Sequence, residues 1–170
     1  LVAVMDSNDV WRKSNMTANG DIIGFPFIRG DAYLQTSAGL MLRKDWLDDL
    51  NLEVPQTADE LYEVLKAFKE EKGAEVPFSA GSFWLTSIGI AHGILTSPFG
   101  LVKGDFYQVD GTVHYGYAEE EYKGVLEYLN KLYEEGLLDP NFQTVDDNTV
   151  RANMMNGQAV VTLGNGGGYL

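Results

Sequence analysis

Cysteine is absent from this 170-residue chain, which excludes a disulfide, a thiolate nucleophile and a cysteine metal site and leaves the redox compartment open. Long apolar runs are missing too, since none approaches the ~20 residues that a membrane-crossing helix requires. Positive charge is scarce: 12 lysines and arginines stand against 25 acidic side chains, for a formal charge of −13. Such a chain repels phosphate backbones and anionic membrane surfaces, so nucleic acid is not expected as a partner. The acidity itself reads as a solubility device and names no ligand. Catalytic signatures are also lacking. There is no Gly-x-Ser-x-Gly elbow and no Gly-x-Gly-x-x-Gly after a strand, and His92 and His114 sit in no nucleophile context. A calcium loop needs several oxygen donors at regular spacing, and only Asp105 and Asp110 are offered around the Asp110-Gly111 turn, so neither a metal nor a cofactor is expected.

What is present is a globular composition. Hydrophobic residues make up 45% of the chain, and this length supports one core, so residues 1–170 are expected to form a single domain. The most readable stretch is residues 38–69. Residues 38–42 are apolar without alternation, as in a buried central strand. Asp45 is placed to cap a short helix carrying Trp46, Leu47 and Leu50, with Asn51 as a left-handed stop. Thr57-Ala-Asp-Glu60 has the spacing of a capping box, and Leu61, Val64, Leu65 and Phe68 follow at i, i+3, i+4 and i+7. A second helix with one buried stripe is therefore predicted.

Elsewhere, residues 1–19 read as irregular or weakly helical, and residues 21–27 as a strand ending near Pro26. Residues 76–79 form a short strand, and Ser82 can cap an apolar helix reaching about Thr96 that includes a structural His92. Asp110-Gly111 between two alternating runs predicts a type I′ hairpin. Glu119-Glu120-Glu121 opens the longest helix, with Tyr122, Val125, Leu126, Leu129, Leu132 and Tyr133 as its buried stripe and Gly136 and Pro140 beyond its end. Asp147 caps a last short helix, and residues 159–163 form another buried strand. Alternation of strands and helices predicts an α/β layer structure with a mostly parallel sheet and an antiparallel hairpin.

Open α/β sheets bind ligands outside the carboxyl ends of their strands. That rule selects residues 28–33, 81–84 and 164–169. Asp31, Tyr33, Ser82, Phe83, Trp84, Asn165 and Tyr169 supply aromatic faces beside hydrogen-bonding groups, the mixture that a sugar requires. Arg29 is the contrary residue, because its guanidinium fork suits a carboxylate or phosphate. A carbohydrate-active enzyme fragment is the alternative from another class, although the carboxylates it would need fall mostly on solvent faces of helices. An interaction module whose aromatics meet a protein is a third.

The stretch Arg43-Lys-Asp-Trp-Leu-Asp-Asp-Leu-Asn-Leu-Glu-Val-Pro-Gln-Thr-Ala-Asp-Glu-Leu-Tyr-Glu-Val-Leu-Lys-Ala-Phe-Lys-Glu70, with the strands on either side, resembles the family 1 extracellular solute-binding proteins of ABC transporters. The similarity runs from Gly20-Asp-Ile-Ile-Gly-Phe-Pro26 to Asn156-Gly-Gln-Ala-Val-Val-Thr-Leu163. It implies one three-layer αβα lobe of a periplasmic-binding-protein-like (type II) fold, the other lobe lying outside these residues, as does any targeting segment. It further implies a non-enzymatic receptor, extracytoplasmic and lipid-anchored or periplasmic, that delivers its solute to a membrane permease. The expected ligand is a sugar or oligosaccharide, with a peptide or other small polar solute as alternative. By the same similarity, Phe83-Trp84 matches an aromatic position of the sugar-binding members. At the second such position Gly166 to Gly168 and Tyr169 stand where the family often has tryptophan. An isolated lobe is expected to bind weakly, since closure of two lobes buries the ligand on both sides.

Overall fold

The computed structural model describes residues 2–25, 27–31 and 38–165. The chain divides into two compact units, Leu1–Ser37 and Ala38–Leu170.

In the first unit, α1 (Val2–Asp6) precedes α2 (Asp9–Ser14), which is capped by the Asn8 side chain accepting from the backbone N–H groups of Val10 and Trp11. The strand expected over residues 21–27 does not form in the described part of that run. Ile22 makes one antiparallel bridge to Met16 across a turn at Gly20, while Ile23, Phe25 and Phe27 are exposed. High β propensity is insufficient without a neighbouring strand to pair with.

The second unit holds β1 (Gly39–Leu42), α3 (Lys44–Asp49), α4 (Ala58–Lys72), a π helix (Phe83–Ile90), the hairpin β2 (Phe106–Val109) and β3 (Thr112–Tyr115), α5 (Tyr122–Glu134), α6 (Asp147–Met155) and β4 (Val161–Gly164), with single 3-10 turns at Ser97–Phe99 and Gly116–Ala118. The sheet is mixed. β1 pairs antiparallel with β4, Gly39 opposite Gly164 and Leu42 opposite Val161. The parallel character lies at Phe78, which bridges Val161 on one side and Leu138 on the other. Its N–H donates to the Leu137 carbonyl and the Ser79 N–H to that of Val161, at 2.8 and 3.1 Å. β4 is fully buried, whereas β1 is only half-buried because β4 is its only partner among the described strands.

The four predicted stripe residues of α4, Leu61, Val64, Leu65 and Phe68, are all buried, and with Phe78, Leu132, Val160, Val161 and Leu163 they form the core. The helix start differs in one detail from a regular capping box. Thr57 Oγ1 accepts from the Glu60 N–H at 3.1 Å, but Glu60 reaches back to the N–H of Gln56, at 2.6 Å, one residue further than the box prescribes. Gly73, at φ 73°, closes the helix.

Several caps move by a residue or two. Asp45 lies inside α3 and pairs with Arg43, the residue at the cap position; that contact holds its carboxyl below the usual range. Asn51 does adopt the left-handed conformation, at φ 53°. Asp146, not Asp147, caps α6, accepting from the Thr149 N–H at 2.8 Å. α4, with 15 residues, is longer than α5, with 13, which begins only at Tyr122, after the acidic triplet. Within α5, Val125 and Leu132 are buried, but Leu126 and Tyr133 remain exposed along an open apolar groove of about 530 Å³ that also touches Leu85 and Phe142. The hairpin turns through Asp110 and Gly111, both at positive φ (48° and 83°), as a type I′ turn requires.

Candidate functional site

Direction in the sheet decides which segments share an edge. The parallel bridges at Phe78 send the strands through 78, 138 and 161–164 out of the sheet at one end. β1 runs the other way, so its first residue, Gly39, lies opposite Gly164 at that same end. Residues 80–84, Asp139 and Asn165 therefore follow the carboxyl ends of neighbouring strands, where open α/β sheets hold ligands.

The turn after Phe78 leads directly into the π helix. Ser82 does not cap it: the residue is itself helical (φ −52°, ψ −42°), and its carbonyl accepts from the Thr86 hydroxyl at 2.7 Å. The helix is wider and shorter than expected, with the Ala91 N–H reaching back five residues to the Thr86 carbonyl at 2.9 Å. It ends at Ile90, and residues 91–96 continue in turns. His92 contacts the Ser87 carbonyl through Nδ1, consistent with its structural reading.

Phe83 and Trp84 divide their roles. Phe83 is 62% exposed. Trp84 is half-buried and packs on the core. Their rings meet edge to face, with centroids 5.8 Å apart and planes at 77°. The Trp84 indole Nε1 donates to Asp147 Oδ1 at 3.1 Å, tying the first turn of the π helix to the first turn of α6. Gly81 is buried where a Cβ would come within 3.0 Å of the Val145 carbonyl oxygen, so the loop ahead of α6 closes directly onto the turn ahead of Phe83.

Of the predicted contact residues, Ser82, Phe83, Trp84 and Asn165 thus share one sheet edge, Asn165 being exposed just past β4. Asp31 is exposed and belongs to the first unit, where the Arg29 guanidinium lies over the Phe27 ring at 5.2 Å. Tyr33 and Tyr169 lie outside the described residues, as do Pro26 and Gly166 to Gly168. Two contacts at this edge were not legible beforehand. Asp147 was expected to cap a helix, and no local pattern links it to a tryptophan 63 residues away. Asp139, buried, accepts from the Ser79 hydroxyl at 2.7 Å and from the Asn141 N–H at 2.9 Å. That pair satisfies a buried carboxylate and stitches two strand ends together. Beside it lies a polar hollow of about 430 Å³, reaching Glu75, Asp146 and Gln158, with no aromatic in its lining among the described residues.

This arrangement defines a class, an α/β lobe that presents an aromatic pair and hydrogen-bonding groups at the carboxyl edge of its sheet. The chain belongs to the bacterial extracellular solute-binding protein family, which it matches over residues 5–170. It is 32% identical over 133 residues to the polygalacturonan/rhamnogalacturonan-binding protein YtcQ of Bacillus subtilis (strain 168), covering 75% of this chain and 26% of YtcQ. Lipoprotein LipO of the same organism is 30% identical over 160 residues, covering 89% of this chain and 30% of LipO. Among solved structures, the Streptococcus pneumoniae ABC-transporter substrate binding protein FusA in complex with kestose superposes with a TM-score of 0.73 at 26% identity, covering 98% of this chain and 36% of that one. The fold is accordingly periplasmic-binding-protein-like, of type II. The chain spans between 26% and 30% of the length of the curated relatives it matches.

Proposed function

We propose that this chain is a ligand-proximal lobe of the substrate-binding component of an ABC importer, and that it helps hold a sugar or oligosaccharide in a cleft between two lobes. The observation that carries the reading is the Phe83–Trp84 pair at the carboxyl edge of the sheet, one ring exposed and the other anchored. An aromatic face covers the C–H face of a pyranose or furanose ring, while amides, hydroxyls and carboxylates replace water at its hydroxyls. Ser82 and Asn165 offer such groups at this edge, and Asp31, Tyr33 and Tyr169 are proposed as further ligand contacts. The receptor binds and releases without a chemical step. It works outside the cytoplasm, lipid-anchored or periplasmic, and hands its solute to a membrane permease. The names of YtcQ, FusA and LipO support the sugar, transporter and lipoprotein parts of this reading.

Calorimetry of the receptor against neutral oligosaccharides tests it. Binding heat without product is the expected result, and Phe83→Ala or Trp84→Ala should each weaken binding by about 1–3 kcal/mol through lost apolar contact. Product formation, or a site indifferent to both substitutions, would overturn the proposal. Arg29, stacked over Phe27, favours a second reading in which the solute is anionic; there Arg29→Ala abolishes binding of an acidic oligosaccharide or peptide and spares neutral ones.

A further inference from the structure

We propose that Asp147 is a positioning residue for ligand binding: its carboxylate fixes the Trp84 indole at the cleft edge before any solute arrives. The inference rests on the proposed role of Trp84 as a ligand contact.

Three observations lead to it. Asp146 and Asp147 stand together at the start of α6, yet Asp146 alone satisfies the cap, through the Thr149 N–H. The Asp147 side chain is directed elsewhere, to the indole Nε1 at 3.1 Å. The second observation is the close approach that makes this possible. Gly81 lies where a Cβ would be 3.0 Å from the Val145 carbonyl oxygen and 3.9 Å from Asp147 Oδ1, so the segments bearing donor and acceptor are held at a set separation. The third is the division between the two aromatics. Trp84 packs on the core with its apolar body, and the hydrogen bond secures its polar rim, which leaves the ring few rotamers to lose. A stacking platform ordered in advance does not lose rotamer freedom on binding. Phe83, next to it and 62% exposed, has no polar handle by which it could be fixed in the same way.

The chemistry separates this role from helix capping. Asparagine at 147 keeps an oxygen acceptor of the same reach while losing the charge, whereas alanine loses both. Asp146→Ala removes the side-chain cap at the start of α6 without touching the indole, and so reports purely structural effects.

The experiment uses the full-length receptor with kestose, stachyose and trigalacturonate as probes. Solvent exchange of the Trp84 indole N–H is followed by NMR, the signal being assigned by its loss in Trp84→Phe. Asp147→Ala should raise the Kd of whichever probe binds by about three- to tenfold, the range of one lost hydrogen bond, and should speed exchange of that N–H. Asp147→Asn should restore both, and Asp146→Ala should change neither. If Trp84→Ala weakens binding but Asp147→Ala does not, or if Asp147→Asn is as weak as Asp147→Ala, or if indole exchange is unmoved in Asp147→Ala, the positioning role is overturned while the site stands. If no probe binds, or if binding ignores Trp84→Ala, the site reading itself falls and the inference falls with it.

Discussion

Gly89→Ala sets two well-characterised effects against each other. In a helix, alanine is better than glycine by about 1 kcal/mol, because it removes backbone freedom from the unfolded chain. Gly89, however, lies in the π helix against β4. A Cβ there would sit 2.8 Å from Leu95 Cδ1, 3.0 Å from Leu163 Cδ1 and 3.1 Å from Leu95 Cγ. Both leucines are buried, at 6% and 0% exposure, and Leu163 is held in register opposite Leu40, so neither has solvent to retreat into. Overpacking of this kind costs about 1–3 kcal/mol, so packing should outweigh propensity by up to about 2 kcal/mol. For a chain of this size that lowers Tm by up to about 8 °C. Gly124, in α5, is the control, since a Cβ there meets only Phe99 Cδ1, at 3.4 Å. Gly124→Ala should therefore raise stability by up to about 1 kcal/mol. Urea unfolding followed by circular dichroism measures both signs. A stabilised Gly89→Ala would refute the close contact between the π helix and β4, and with it the placement of Phe83 and Trp84 at the sheet edge.

Thr57→Ala should cost about 1 kcal/mol in urea unfolding, since the Glu60 N–H loses its acceptor at the start of α4. Phe78→Ala, at the fully buried junction of the parallel bridges, should cost about 3–5 kcal/mol; a loss under about 1 kcal/mol would contradict its central place. The Tyr62 hydroxyl, donating to Glu135 at 2.8 Å, has its pKa pushed up from 10.0 to about 12 by that bond. A raised folded-state value favours the protonated form, so this contribution to stability is complete below pH 10 and lost as pH rises through about 12. NMR titration of the Tyr62 ring should show Glu135→Gln bringing the value down, and an unchanged titration would exclude the bond as the cause.

What depends on neighbours within a turn or two can be read along the chain. The buried stripe of α4, the threonine cap at its start, the Asp110-Gly111 turn and the Asn51 stop all formed where local spacing placed them, because periodicity and backbone handedness are local quantities. The aromatic pair follows the bridged segment at Phe78, a succession of apolar run and Phe-Trp that is visible in the chain. Where the sequence misled, the missing term was a partner. The run around Phe25 has strand propensity but among its described residues only Ile22 pairs, and β1, apolar enough for a central strand, is half-buried because β4 is its only partner among the described strands. Leu126 and Tyr133 continue the apolar stripe of α5 but face an open groove. That Asp146 takes the cap and leaves Asp147 to Trp84, and that Ser79 meets Asp139 across 60 residues, became visible only in the folded chain. Those pairings depend on strand direction and on the close approach that Gly81 permits, distances between segments that no spacing along a chain encodes.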